Sequence, residues 1–241
     1  FCKLAVVKII HQGILLKKIN YSETSLILQF YTLEKGMQSY LFQGGKKKKG
    51  NSLQPLSIVE IEGYMRSDSD LGKISAINLM EVNDRITFNP LKSGIAFFIA
   101  EIVAQTLKSS ETETTVYDFL KKEIIWLNDH NTLSNYPIWF LLAFSSYLGF
   151  SPHLKDHSSV YFDLEEGILS AHVPTGHLYL KDETIPFIAE LLNGSKEQGL
   201  SLTLNKAIRK QLTDNLLNYY RHHIEGFKTP KSLAVLQTIF S

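Results

Sequence analysis

A chain of 241 residues that is 44% hydrophobic and 20% charged carries enough apolar surface for real cores, which argues against disorder and for two domains, or one domain with an elaboration. Its single cysteine, Cys2, excludes a disulfide framework and any cysteine-rich metal site, and fits a reducing compartment such as the cytoplasm. The net charge of +1 hides an asymmetry: residues 1–80 hold 11 Lys+Arg against 6 Asp+Glu (+5), residues 81–203 hold 8 against 16 (−8), and residues 204–241 hold 6 against 2 (+4). A polyanion would therefore meet the two ends of the chain rather than its middle.

The opening "FCKLAVVKII" is apolar but short, broken by Lys3 and Lys8, and without a small-residue cleavage site. No stretch of about 18 uncharged apolar residues follows, so neither a signal peptide nor a membrane span is expected. Short strands come next: Gly13 to Ile19, Ser25 to Thr32, Met37 to Phe42, Ser57 to Met65 and Leu71 to Ile77. They are rich in β-branched and aromatic residues and are separated by turn chemistry at Asn20, Glu34-Lys35-Gly36, Gly44 to Ser52 and Ser67 to Asp70. Five short strands without long crossovers suit a small antiparallel barrel, with an OB-fold or an SH3-like barrel as the two readings.

From Pro90 the period becomes helical. Ile95, Phe98, Ile99, Ile102 and Val103 share one face, and Val116, Phe119, Leu120, Ile124 and Leu127 another, the second preceded by Thr115 and Asp118 in capping-box spacing. A third helix has Pro137 in its first turn and ends at Gly149, where a left-handed cap is expected. "VYFDLEEGILS", Val160 to Ser170, reads as a hairpin with Gly167 at the left-handed loop position. Leu204, Ile208, Leu212, Leu216 and Tyr220 then recur every four residues, and "SLAVLQTIF" closes the chain. The fold class is α+β: a five-stranded barrel over residues 1–80, then a mainly helical domain over 81–241 with a hairpin insertion around 153–180.

Gly45-Lys46-Lys47-Lys48-Lys49-Gly50 approaches the phosphate-cradling loop G-x-x-x-x-G-K-[ST], but Asn51 stands where that motif needs the lysine that reaches the β- and γ-phosphates. The stretch also joins strands of a barrel rather than a strand and a helix, so nucleotide hydrolysis is not expected. Four ammonium groups on a barrel loop can neutralise phosphates without reading sequence, or can simply be solvated. Tyr21, Phe30, Tyr31, Tyr40, Phe42 and Tyr64 are available either to stack bases or to fill the barrel. His153, His157, His172 and His177 surround the hairpin without cysteines or a helical histidine pair, and Asp163, Glu165 and Glu166 read as solvated hairpin carboxylates. No nucleophile elbow accompanies the serines, so no enzyme is read here.

The blocks "GILLKKINYSETSLILQFYTLEKGMQSYLFQGGKKKK", "LQPLSIVEIE", "YLGFSPHL" and "YFDLEEG" together resemble the RecO family of bacterial recombination mediators, in the family's order, from Gly13 to about Arg221. Residues 1–10 have no counterpart in that resemblance. It implies an N-terminal OB-fold, a helical domain, and a cytoplasmic, nucleoid-associated protein without catalytic residues or cofactor. Such a protein binds single- and double-stranded DNA, anneals strands coated with single-stranded DNA-binding protein, and works with RecR to load RecA.

Lys46, Lys47, Lys48 and Lys49 look like the family's basic loop. Lys17, Lys18, Lys35, Arg66 and Lys73 are secondary candidates for DNA, and Lys206, Arg209 and Lys210 candidates for a second segment. Phe119, Lys122 and Trp126 are the candidate pocket for the acidic, Phe-terminated tail of the single-stranded DNA-binding protein. Many family members hold zinc through four cysteines after the "GF.P.L" segment; this region has none, so no metal is expected. A non-catalytic adaptor whose barrel binds protein or an anionic surface is the alternative, although no amphipathic apolar face flanks the lysines as lipid binding would require.

Overall fold

The computed structural model describes residues 6–47, 50, 52–66, 69–81, 83–107 and 113–240, and the chain divides into two compact units, Phe1–Asp129 and His130–Ser241. The first opens with β1 (Val6–Asn20), β2 (Leu26–Thr32), β3 (Gly36–Phe42), β4 (Ile58–Arg66) and β5 (Leu71–Leu79), closed into a barrel in the order β1-β2-β3-β5-β4. This is the five-stranded OB-fold-like architecture. Closure is made by β3 and β5 running parallel, while the other neighbours are antiparallel.

Strand β1 starts at Val6 rather than at Gly13, which corrects the sequence reading. Val6 to Ile14 pair with β4 and Gly13 to Asn20 with β2, so residues beyond the resemblance build the barrel. Gly13, which looked like a boundary, lies inside the strand where it passes from one neighbour to the other. A Cβ there would stand 3.0 Å from Ile61 Cδ1 and 3.2 Å from Phe30 Cβ.

Inside, Leu15, Leu28, Phe30, Tyr40, Val59 and Ile61 are almost wholly buried. Tyr40 meets Phe30 edge-on at 5.9 Å, and its hydroxyl and His11 Nδ1 share a hydrogen bond of 2.7 Å that satisfies both in the core. Burial disfavours the imidazolium and holds the His11 pKa below 6.5, against a smaller upward pull from Glu34 and with a downward push from Lys35.

Three helices complete the first unit: α1 (Asp84–Phe88), α2 (Pro90–Thr106) and α3 (Thr114–Asp129). The expected face of α2 is buried in full, and Asn89 caps it, its Oδ1 accepting from the N–H groups of Leu91 and Lys92 at 3.0 and 3.2 Å. Lys92, itself buried, donates from Nζ to Asn128 O at 2.6 Å, tying α2 to the last turn of α3. The capping box at Thr115 is not formed. Helix α3 already includes Thr114, and Glu113 O accepts from Val116 N and Tyr117 N at 3.0 and 3.1 Å.

The second unit comprises α4 (Tyr136–Tyr147), a small sheet, and α5 (Ile185–Asn193), α6 (Lys196–Ser201), α7 (Lys206–His223) and α8 (Ser232–Ile239). The expected hairpin is there, as β7 (Tyr161–Asp163) and β8 (Ile168–Ser170), with Gly167 at φ +69. It is widened by β6 (His153–Leu154) and β9 (Tyr179–Leu180) into the order β6-β8-β7-β9. Gly149, at φ +82, ends the turn after α4 as expected. Phe150 then inserts between residues of α7: it stacks on His223 at 4.9 Å and meets Tyr219 and Tyr220 edge-on at 5.6 and 5.0 Å.

Because folding depresses the His11 pKa, the unfolded chain binds more protons between the folded value and 6.5. Stability therefore falls as pH drops through that window. The melting temperature of the wild type should decline more steeply than that of His11→Gln between about pH 7 and 5.5, measured by circular dichroism; parallel slopes would dismiss the linkage.

Candidate nucleic-acid interface

The loop from β3 to β4 is fastened to the turn from β1 to β2. Lys46 donates from Nζ to Ser22 O at 2.8 Å and from its backbone N–H to Thr24 O at 3.1 Å. Within that turn Ser22 Oγ accepts from Ser25 N at 3.1 Å, and Tyr21 N–H donates to Ser25 O at 3.1 Å. Lys46 is half-buried, whereas Lys47 and Tyr21 are exposed. Lys48 and Lys49 lie outside the described residues. The stretch leads into strand β4, not into the helix a nucleotide loop requires.

The remaining barrel cations have separate fates. Lys17, opposite Gln29, points out from β1 and is exposed. Lys18, opposite Leu28, folds over the barrel mouth and donates from Nζ to Leu53 O at 2.5 Å; burial there lowers its pKa. That bond ties the exposed Lys18 side chain back to the barrel's own backbone. Lys35 is exposed in the β2–β3 turn, next to Glu34, whose carboxylate accepts from Gln12 N at 3.0 and 3.1 Å. Arg66 lies at the end of β4 opposite Val6, and Lys73 on β5 opposite Tyr64 and Leu41.

The aromatic candidates separate by burial. Phe30, Tyr40 and Phe42 fill the core, and Tyr31 is buried with its hydroxyl 3.4 Å from both Glu113 N and Glu113 O. Tyr21 and Tyr64 remain open, at 62% and 47% exposure, and are the barrel rings able to take a base.

The second unit carries a different site. A shallow open groove is lined by Pro137, Ile138, Leu233, Leu236 and Phe240 together with Lys206, Arg209 and Lys210. Arg209 is anchored: Nη2 donates to Leu204 O at 2.8 Å, Nε to Asn135 Oδ1 at 3.4 Å, and the guanidinium lies 5.9 Å from the Phe240 ring. Lys210 pairs with Asp214 at 2.6 Å, and Lys206 is exposed in the first turn of α7. The three cations named from sequence are thus brought together, but around an apolar groove.

Phe119, Lys122 and Trp126 share one face of α3, yet Phe119 is only 9% exposed, so its ring belongs to packing rather than to an open pocket. Around the hairpin, Asp163 Oδ1 accepts from Glu165 N and Glu166 N at 2.9 and 3.0 Å, and Asp156 Oδ2 from Ala171 N at 3.2 Å. Among the described residues no group of three His, Cys, Asp or Glu is disposed to hold a metal, and no helix is long and apolar enough to cross a membrane.

Two features escaped the sequence. Lys8 faces outward from the half of β1 that was read as a mere apolar start, although its β-branched neighbours were the available signal. The groove depends on α4, α7 and α8 converging, which no local pattern encodes.

Fold and surface together define an OB-fold protein with a cationic loop, joined to a helical unit. Residues 7–83 match the family model for recombination protein O N terminal, and residues 88–233 the model for recombination protein O C terminal. The chain belongs to this family of DNA repair proteins. It is 32% identical over 235 residues to the DNA repair protein RecO of Flavobacterium psychrophilum, a match covering 95% of this chain and 98% of that protein. The DNA repair protein RecO of Phocaeicola vulgatus is 30% identical with the same coverage, and that of Porphyromonas gingivalis 28%, over 96% and 99%. The match from residue 7 gives β1 the family counterpart that the sequence reading denied it.

The anchoring of Arg209 separates it from its neighbour. Arg209→Ala should lower unfolding free energy by about 1 to 3 kcal/mol, through the stranded Leu204 carbonyl, whereas Lys206→Ala should stay within about 0.5 kcal/mol. Urea titration followed by circular dichroism measures both; equal losses would contradict the assignment.

Proposed function

We propose that this protein is a non-catalytic DNA repair and recombination mediator. It binds single- and double-stranded DNA through the barrel, anneals complementary strands coated with single-stranded DNA-binding protein, and acts with RecR in loading RecA at the nucleoid. The observation that carries the reading is the basic loop held against the β1–β2 turn through Lys46, with Lys47 on the loop and Tyr21 on the turn both exposed. Loops of this kind are where OB-folds meet oligonucleotides.

The mechanism needs no fuel. Two phosphate backbones repel as they approach, and ammonium groups that replace condensed counterions lower that repulsion. Contacts to phosphate carry no sequence information and leave base edges free to pair. Family membership and the absence of a complete nucleotide loop both support a mediator that hydrolyses nothing itself.

The partner's acidic, Phe-terminated tail finds its chemistry in the second unit. The groove floored by Ile138, Leu233 and Leu236 suits an apolar terminal side chain, and Lys206 and Lys210 at its rim suit carboxylates. This transfers the tail from Phe119, Lys122 and Trp126, where burial of the ring argues against it. It also gives Lys206, Arg209 and Lys210 a peptide rather than a DNA segment to hold.

Charge reversal by Lys47→Glu should weaken binding of labelled single-stranded DNA and flatten its log-salt slope by roughly 0.7, the share of one phosphate contact. Annealing of complementary oligomers should slow in parallel. A wild type that ignores oligomers at low salt would favour the adaptor reading instead. For the groove, a fluorescein-labelled acidic peptide ending in Phe should bind the wild type and lose about fivefold affinity in Lys206→Glu, an exposed position whose exchange leaves the core intact; undiminished binding would remove the groove from the proposal.

A further inference from the structure

The outer face of β4 changes chemistry along its length. Val59 and Ile61 point inward and are fully buried, so Glu60, Glu62, Tyr64 and Arg66 point outward in turn, carboxylates first and then a phenol and a guanidinium. The barrel register sets Lys8 of β1 opposite Tyr64 on one side and Lys73 of β5 opposite it on the other. Lys8, Tyr64 and Lys73 are all exposed. Directly opposed residues stand about 4.5 to 5.5 Å apart at Cβ, and two strand spacings separate the lysines by roughly 10 Å.

A ring between two flexible cations can take a base on its face while the ammonium groups reach the phosphates on either side. Glu60 and Glu62, farther along the same strand, repel a polyanion from the opposite end, which fixes where along β4 the backbone crosses. The position is also continuous with the basic loop, because Lys73 pairs with Leu41, the residue before the last of β3. A strand leaving Lys47 meets β5 next, then β4, then β1.

We propose that Lys8, Tyr64 and Lys73 form a base-stacking station for single-stranded DNA on the β1–β4–β5 face of the barrel. The inference rests on the DNA-binding reading above and adds a second point of contact to it. Duplex DNA, whose bases are already stacked, gains nothing from the ring, so the station favours single strands.

The test is fluorescence anisotropy of the full-length chain with a labelled thymidine oligomer and a labelled duplex. Tyr64→Ala should weaken the single strand about tenfold, leave duplex affinity within about twofold, and leave the salt slope unchanged, since no charge is lost. Tyr64→Phe should bind as the wild type does. Lys8→Gln with Lys73→Gln should flatten the slope by roughly 1.4, and these exposed positions keep the test open whatever Tyr64→Ala does to folding. Wild-type affinity in Tyr64→Ala, equal loss on single strand and duplex, or an unchanged slope in the lysine pair would each overturn the station while leaving the loop in place. A wild type that binds neither oligomer would overturn the DNA reading and the station with it.

Discussion

The barrel depends on one strand being shared. Strand β1 gives its first half to β4 and its second to β2, the two overlapping at Gly13 and Ile14, with a register shift just beyond, between Leu15 and Lys17. Because side chains alternate between faces, a slip of one residue would turn the buried His11 outward and the exposed Lys8 inward. The fixed register therefore decides more than stability. It points Lys8 and Lys17 outward, sends Lys18 over the mouth to Leu53, and leaves His11 inside against Tyr40. The distribution of charge on the outer surface follows from how the core is paired.

Where the chemistry was local, the sequence made the structure legible. Alternation of Val59 and Ile61 with Glu60 and Glu62 announced β4, and the four-residue recurrence from Ile208 to Tyr220 announced α7, because both record burial of one face. The first half of β1 was hidden because "AVVKII" has no polar alternation and Gly13 imitates a turn. The parallel pairing of β3 with β5 left no trace at all, since strand direction around a closed barrel is a property of the whole chain. Helices α5 and α6 went unread for the opposite reason: each is short, and α6 rests on a capping box at Ser195 and Gln198 rather than on a long apolar stripe.

Lysines were counted correctly and interpreted only in part. A cation's type is written in the sequence, but its commitment is not. Lys18, Lys46 and Arg209 donate to carbonyls of their own fold, whereas Lys17, Lys47 and Lys73 are exposed side chains for which no such bond to the fold is described, and nothing in "ILLKKI" or "GGKKKK" distinguishes one lysine from its neighbour. The same holds for the aromatics, where Tyr40 and Tyr64 have similar neighbours in sequence and opposite faces in the barrel. Sequence named the candidate cations and rings, and the fold shows which of them donate to its own carbonyls or fill its core.

The second unit shows how a small lobe coheres through many modest contacts. Phe150 against His223, Tyr219 and Tyr220, and Phe162 against Tyr219, each add about 0.5 to 1.5 kcal/mol beyond simple burial when ring geometry is favourable. Tyr219 and Tyr220 also donate to Phe150 O and Leu141 O at 2.6 and 2.7 Å, so the rings are packed without stranding their hydroxyls. Asp182 accepts from Thr184 N and Asn215 Nδ2, and those hydrogen bonds hold its pKa below the usual carboxylate value against the cost of burial. Such an array needs many residues in place at once, which ties the segment around the sheet to the second half of α7, from Asn215 to His223. The same helix carries Lys206, Arg209 and Lys210 on its first turns, so its two ends serve different neighbours: the sheet at one, the groove lining at the other.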